Sequence, residues 1–319
     1  MTDEGALPAT SARLADSPRV GRAEVSAHHG EIVQGMFYSC DGRVEHGLVT
    51  LPCRLFGTRA RFRPLRSGPL AVDPSDRMRA VTAARMMLDA TGHSGWGGSL
   101  RIDSDVPLCW GCGSSTADVL ATILAVADAF GMALEPGWIA RLSVDSETAS
   151  DSLMYPSSRA VLFAQRRGSV LLDLGHPLPP VRVLGFNTEM GRGVETLSLA
   201  PMAYSSWEIE AFRAILGLLR RAVEQQDAVL LGRVATASTI ITQRHRPKRL
   251  MPELLRLADE TGALGVQVAH SGTVAGFLFE PGASSTVRLE HARAGLGRLG
   301  FHRSWEFSID ANSHSKRPS

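Results

Sequence analysis

The chain has 319 residues, of which 44% are hydrophobic and 21% charged, and a net charge of +2 at neutral pH. That is the composition of a soluble globular protein with an ample core, long enough for one large or two medium domains. The small charge argues against nucleic acid or an anionic membrane as partner, and no apolar run reaches the length of a membrane-spanning helix. Residues 1–20 are rich in Ala, Ser, Thr, Pro and charge and lack the apolar core of a secretory signal, so a disordered lead-in and a cytoplasmic location are expected.

In chain order, Arg22 to Phe37 reads as a short strand, a turn at His29-Gly30 and a second apolar segment. His28, His29 and Glu31 together suggest a metal site, but adjacent side chains on a strand point to opposite faces, which weighs against it. Gly47 to Gly57 continues as β-rich text. Arg59 to Arg66 is one of two dense basic runs, the other being Arg244 to Arg249. Both read as solvated surface, and the second is also suited to lie near an anionic substrate. Ser75 to Thr91 has apolar residues at helical spacing and ends at Gly92, and Gly97 to Asp103 reads as a strand.

The stretch from Ser104 to Asp118 organises the rest. Gly111 and Gly113 let a turn tighten so that its N–H groups converge. Ser114, Ser115 and Thr116 then stand where a helix begins, with Val119, Leu120, Ile123, Leu124, Ala127 and Phe130 as its buried stripe and Gly131 as its stop. A glycine loop before a helix N-terminus is a ready phosphate site. A plain strand–turn–helix corner with a serine cap is the competing reading. Cys109 and Cys112 have the spacing of a dithiol or half a zinc site, but no second pair completes a tetrahedral set, so free thiols are expected.

Pro136 to Ser146 reads as a helix, followed by an acidic segment with Asp145, Glu147 and Asp151, and then by strand text from Leu162 to Gly175. Pro177 to Pro180 is the best domain boundary, with a strand opening at Val181. Trp207–Gln226, Ala228–Gln243 and Pro252–Thr261 have helical patterns. The glycine cluster from Gly262 to Phe279 reads as strand, tight turn and strand, with His270, Ser271, Gly272 and Thr273 at the turn. His270 and Ser271 are adjacent and cannot act as base and nucleophile of a triad. Gly295 to Gly300 spells G-x-G-x-x-G after a helical rather than a strand pattern, so it is not a dinucleotide fingerprint. Trp305 to Ile309 closes the chain as a strand.

Pro107-Leu-Cys-Trp-Gly-Cys-Gly-Ser-Ser-Thr-Ala resembles the phosphate-loop motif P-x-x-x-G-L-G-S-S-A-A of the GHMP kinases, with Cys112 for Leu and Thr116 for the first Ala. Ser26 to Gly35 is similar to the first motif of that family in its threonine-kinase form, P-A-S-C-G-E-L-I-Q-G, matching at Gly30, Glu31, Ile32, Gln34 and Gly35. His28 and His29 stand there for Ser and Cys. Glu147, Asp151 and Ser152 resemble the E-P-T-D-S pattern of the same branch with one extra residue, and Ala-His-Ser-Gly-Thr resembles its third motif.

The resemblance implies an α+β fold in two lobes, with residues 21–180 as an ATP-binding domain, 181–311 as a second domain and 312–319 as a disordered tail. ATP and the acceptor would meet in the cleft between the lobes. The implied activity is ATP-dependent phosphorylation of a hydroxyl on a free amino acid, L-threonine first. The alternatives are homoserine, a nonproteinogenic hydroxy amino acid, or a sensor without catalysis. Pro107 and the loop from Gly111 to Thr116 would hold the phosphates. Ser115 and Glu147 would share Mg²⁺, and Asp151 would take or orient the hydroxyl proton. Glu31 would meet the acceptor's ammonium and His28 or His29 its carboxylate. Gly30, Gln34, His270, Ser271, Gly272 and Thr273 would complete the pocket. A homodimer is compatible with this reading.

Overall fold

Two long strands carry the sheet. β1 (Gly21–Tyr38) and β2 (Val44–Arg66) pair antiparallel from Gly21↔Phe62 to Tyr38↔Val44. Register shifts interrupt this ladder between Ser26 and Val33. Gly30 adopts a φ of 63°, and the N–H groups of His28 and Gly30 donate to the carbonyls of Cys112 and Gly111, both at 3.2 Å. An irregularity of this kind bends a strand and re-aims its side chains. The turn expected at His29-Gly30 is therefore a bulge inside one continuous strand.

In this computed structural model, which describes residues 18–189, 193 and 202–309, the sheet extends from that pair in both directions. On one side β2 pairs with β4 (Trp96–Ser104), which pairs in parallel with β3 (Leu70–Asp73). On the other, Glu31↔Val268 joins β1 to β8 (Gly265–Val268), followed by β9 (Val274–Phe279), β7 (Val181–Asn187) and β10 (Ser304–Ile309). The hairpin β5 (Val161–Ala164) and β6 (Ser169–Asp173) hangs from β2 at Gly47 and Leu48, completing ten strands. Residues 1–17 of the lead-in and the tail 312–319 lie outside the described residues.

The architecture is α+β. α1 (Met78–Ala90), α2 (Ser114–Ala129) and α3 (Pro136–Glu147) share a core with the β1–β2–β4 face. α4 (Ser206–Gln225) and α5 (Ala228–Thr242) pack on a second core reaching Ile32 and Val33 of β1. α6 (Met251–Glu260) and α7 (Thr286–Arg298) enclose a third against β7, β8 and β9. α2 is buried nearly all round, with Val119, Leu120, Ile123 and Val126 at 1% exposure or less. Each such side chain contributes roughly 1.5–3 kcal/mol on burial, which fixes where the N-terminus of α2 points. Gly21 lets β1 approach that helix, since a Cβ there would lie 1.9 Å from the Ala125 carbonyl oxygen. No helix among the described residues is long and apolar enough to cross a membrane.

Candidate active site

The N-terminus of α2 opens into a cleft shared by the glycine loop, the bulge of β1, the segment after α3 and the β8–β9 turn. Gly111 and Gly113 adopt φ values of 82° and 73°, and Gly113 is the residue before α2. The β8–β9 turn braces the loop backbone to backbone. Thr273 and Val274 donate their N–H groups to the Trp110 carbonyl at 2.8 and 3.1 Å. A Cβ on Gly272 would lie 2.2 Å from the Trp110 carbonyl oxygen and 2.3 Å from Gly111, so only glycine fits there. Trp110 itself stacks on Trp305, with ring centroids 5.6 Å apart. Pro107 is half-buried at the start of the loop and does not line the cleft.

Ser115 and Thr116, in the first turn of α2, each reach the end of α3. Ser115 Oγ donates to Glu147 Oε2 at 2.7 Å and Thr116 Oγ1 to Glu147 Oε1 at 2.9 Å. Ser143 Oγ adds a third donor at 3.2 Å. Burial lifts the Glu147 carboxyl to about 7, the hydroxyls opposing and the nearby Asp151 charge assisting. The Asp151 N–H donates to Thr116 Oγ1 at 3.3 Å, which ties the Asp151 segment to the same helix end. Arg79, on the first turn of α1, donates to Ser115 Oγ at 2.8 Å.

His28 enters the cleft from the bulge. Its Nε2 lies 3.0 Å from Asp151 Oδ2 and its Nδ1 3.1 Å from the Gly30 carbonyl oxygen. Both ring nitrogens face acceptors, an arrangement suited to the imidazolium, which donates from each. Burial works against that charge, but the Asp151 carboxylate and Glu31 outweigh it and raise His28 to about 9. Asp151 is itself disfavoured as an anion by burial, yet the His28 charge and hydrogen bond hold it below its ordinary value. His28, Glu31 and Asp151 each offer a donor atom within 4.8 Å of the others. With both His28 nitrogens so engaged, the group reads as an ion-pair cluster rather than a metal site.

The remaining sequence candidates divide. Glu31 and Ser271 line the cleft. Glu31 Oε2 accepts from both the N–H and Nδ1 of His270 at 3.1 Å, so His270 is a buried support one layer back. Gln34 stands behind Gln165, a lining residue, with 3.4 Å between their side chains. Gln165 in turn donates to His46 Nδ1. Thr273 is buried and accepts from Asn187 Nδ2 at 2.8 Å. His29 faces the other way: its Nδ1 donates to Gln267 Oε1 at 2.9 Å and its ring lies against Trp305 and Phe307. It is fully buried, burial lowers it to about 4, and it is not positioned to meet a ligand in the cleft. The four cysteines are free; Cys109 is exposed and lines the cleft, while Cys112 is buried.

Sequence reasoning missed Arg79, Gln165 and Lys248. Lys248 Nζ donates to the Gly272 carbonyl in the β8–β9 turn. Burial pushes its ammonium down to about 8, against the pull of Glu31 and Glu189. The basic composition of 244–249 was the one available signal for it.

The chain is similar to known proteins in sequence and in fold. The model of the GHMP kinases N terminal domain matches residues 78–154. The L-threonine kinase of Salmonella typhimurium is 26% identical over 274 residues, 85% of this chain and 87% of that protein. The L-threonine kinase of Citrobacter freundii is 28% identical over 267 residues, 81% and 86% of the two chains. The crystal structure of a homoserine kinase from Cytophaga hutchinsonii superposes with a TM-score of 0.67 at 17% identity, covering 93% of this chain and 97% of that one. The chain therefore carries a GHMP kinase N-terminal domain within a GHMP kinase fold, and it is an ATP-dependent kinase acting on a hydroxyl of a small molecule.

Proposed function

We propose that the chain phosphorylates the side-chain hydroxyl of a free amino acid, L-threonine first. The observation that carries this reading is the likeness to two L-threonine kinases over more than four fifths of the chain. The polar wall around Glu31 supports it, because an amino acid presents an ammonium and a carboxylate together. Glu31, held by His270, is the partner for the ammonium. Lys248 is the partner for the carboxylate, a role for which His29, turned into the core, is unsuited.

The loop from Gly111 to Thr116 binds the polyphosphate through its N–H groups and the positive end of α2. Ser115 Oγ and Glu147 form an all-oxygen set of the kind Mg²⁺ prefers, so the residues present fit that ion and would hold it. Bound there, Mg²⁺ would neutralise charge on the polyphosphate. Asp151, kept ionised by His28, accepts a hydrogen bond from the acceptor hydroxyl and aims its oxygen at the terminal phosphorus. As the new O–P bond forms, the bond from that phosphorus to the ADP oxygen breaks and the hydroxyl proton passes to Asp151. Phosphoryl transfer proceeds through a loose transition state, so a carboxylate of low basicity suffices if it is well placed.

His28 and His29 stand where the threonine-kinase pattern has Ser and Cys, which favours a second reading with a different hydroxy amino acid, such as homoserine. The test is ADP release across a panel of hydroxy amino acids, with the phosphorylated product identified by mass spectrometry. Phosphothreonine as the favoured product supports the first reading. Preference for homoserine or a larger hydroxy acid by orders of magnitude replaces it, and no turnover with any hydroxy amino acid refutes both.

A further inference from the structure

We infer that Arg79 binds the phosphates that remain on the nucleotide after transfer. The inference rests on assigning the loop from Gly111 to Thr116 to the nucleotide. That loop contains no lysine or arginine, although a nucleotide di- or triphosphate brings several negative charges. Among the described residues lining the cleft, Arg79 is the one arginine or lysine.

The arginines around it are already committed. Arg77, just before α1, pairs with the buried Asp118 at 3.3 Å, and Arg85 donates to the Trp96 carbonyl at 3.0 Å. Arg79 makes no ion pair among the described residues; its partner is a neutral hydroxyl, Ser115 Oγ. A guanidinium in the cleft, bonded among the described residues to a hydroxyl and beside a helix N-terminus, is poised for an anion.

The order of the hydrogen bonds bears on which phosphates these are. Glu147 divides the site: Oε2 takes Ser115, which carries Arg79, and Oε1 takes Thr116, which carries the Asp151 N–H. Asp151 marks the acceptor side, where the transferred group leaves. Arg79 sits at the opposite end of this relay, which, with Asp151 at the acceptor, is the end assigned to the phosphates that stay with ADP. A guanidinium there makes charge-assisted, often bidentate, contacts to phosphate oxygens, which a lysine reproduces only in part.

The test is calorimetric titration of the full chain with ADP in EDTA, so that no metal contributes, across a range of NaCl concentrations. Arg79→Met is expected to weaken ADP at least tenfold and to flatten the salt dependence of its affinity, with Arg79→Lys recovering part of the loss. The apo melting temperature should stay near that of the wild type. Undiminished ADP affinity in Arg79→Met overturns the inference. A loss of affinity with wild-type salt dependence also overturns it, because Arg79 would then only shape the loop. If the wild-type chain itself binds no ADP, the nucleotide assignment of the loop falls first and the inference with it.

Discussion

His28 Nε2 and Asp151 Oδ2 are 3.0 Å apart, and the other nitrogen of the same ring meets the Gly30 carbonyl oxygen at 3.1 Å. The bulge in β1 thus delivers a cation to the carboxylate that we assign to the acceptor hydroxyl. His28 is raised to about 9, so the stability it contributes is complete below its ordinary value and is lost as pH rises through about 9. Asp151 is lowered, so its contribution is present above its ordinary value and is lost only in more acidic solution. The pair is therefore intact across neutral pH. The pH profile of kcat is expected to show a basic limb near 9 that disappears in His28→Gln, with kcat lowered roughly 10- to 100-fold by loss of the partner charge. An unchanged basic limb in the variant would assign that limb to another group.

Glu147 behaves in the opposite sense. Its carboxyl is raised from 4.5 to about 7, so it favours the folded state at low pH and withdraws that support as pH rises through this interval. Metal requires the ionised carboxylate, so binding of Mg-ADP below about 7 should release a proton. Calorimetry in two buffers of different ionisation enthalpy measures that release directly. Glu147→Gln should abolish it and weaken Mg-ADP binding, with partial recovery at high Mg²⁺ or Mn²⁺.

Gly113 holds the loop against the ion pair. An added Cβ would lie 2.6 Å from His28 Nε2 and 3.1 Å from Asp151 Oδ2, at a φ of 73°. Gly113→Ala is therefore expected to cost about 1–2 kcal/mol of stability from the backbone alone. It should also lower kcat at least about tenfold by wedging His28 from Asp151. Thermal melts and steady-state kinetics on the same preparation check both.

The proposed role of Lys248 at the acceptor carboxylate separates acceptor recognition from nucleotide recognition. Its ammonium is held at the Gly272 carbonyl, in the β8–β9 turn that braces the loop. Lys248→Met should raise KM for the amino acid about tenfold or more while KM for ATP stays near wild type, the pattern of a lost ion contact to substrate. A matching rise in KM for ATP would show that Lys248 serves the β8–β9 turn instead.

Much of this was legible in the sequence where local chemistry decides. The start of α2 followed from two glycines and three hydroxyl residues, and the bounds of α3, α4 and α5 fell within a residue of their periodic patterns. The bulge was not legible, because it is set by hydrogen bonds from His28 and Gly30 to a loop some eighty residues away in the chain. Strand alternation says that His28 and His29 face opposite ways, but only that bulge decides which one enters the cleft. Arg79 and Lys248 look like solvated charge in their own segments. Their meaning comes from Ser115 and Gly272, brought to them by packing between elements distant in sequence.

Asp151 at the acceptor and Glu147 at the nucleotide is the division of labour on which the account depends. A single-turnover experiment on Asp151→Asn, with Mg-ATP and L-threonine both saturating, tests it most directly. The account predicts a chemical step slowed roughly 10²- to 10⁴-fold, with nucleotide affinity close to that of the wild type. A wild-type rate, or lost nucleotide binding with an undiminished chemical step, would contradict it.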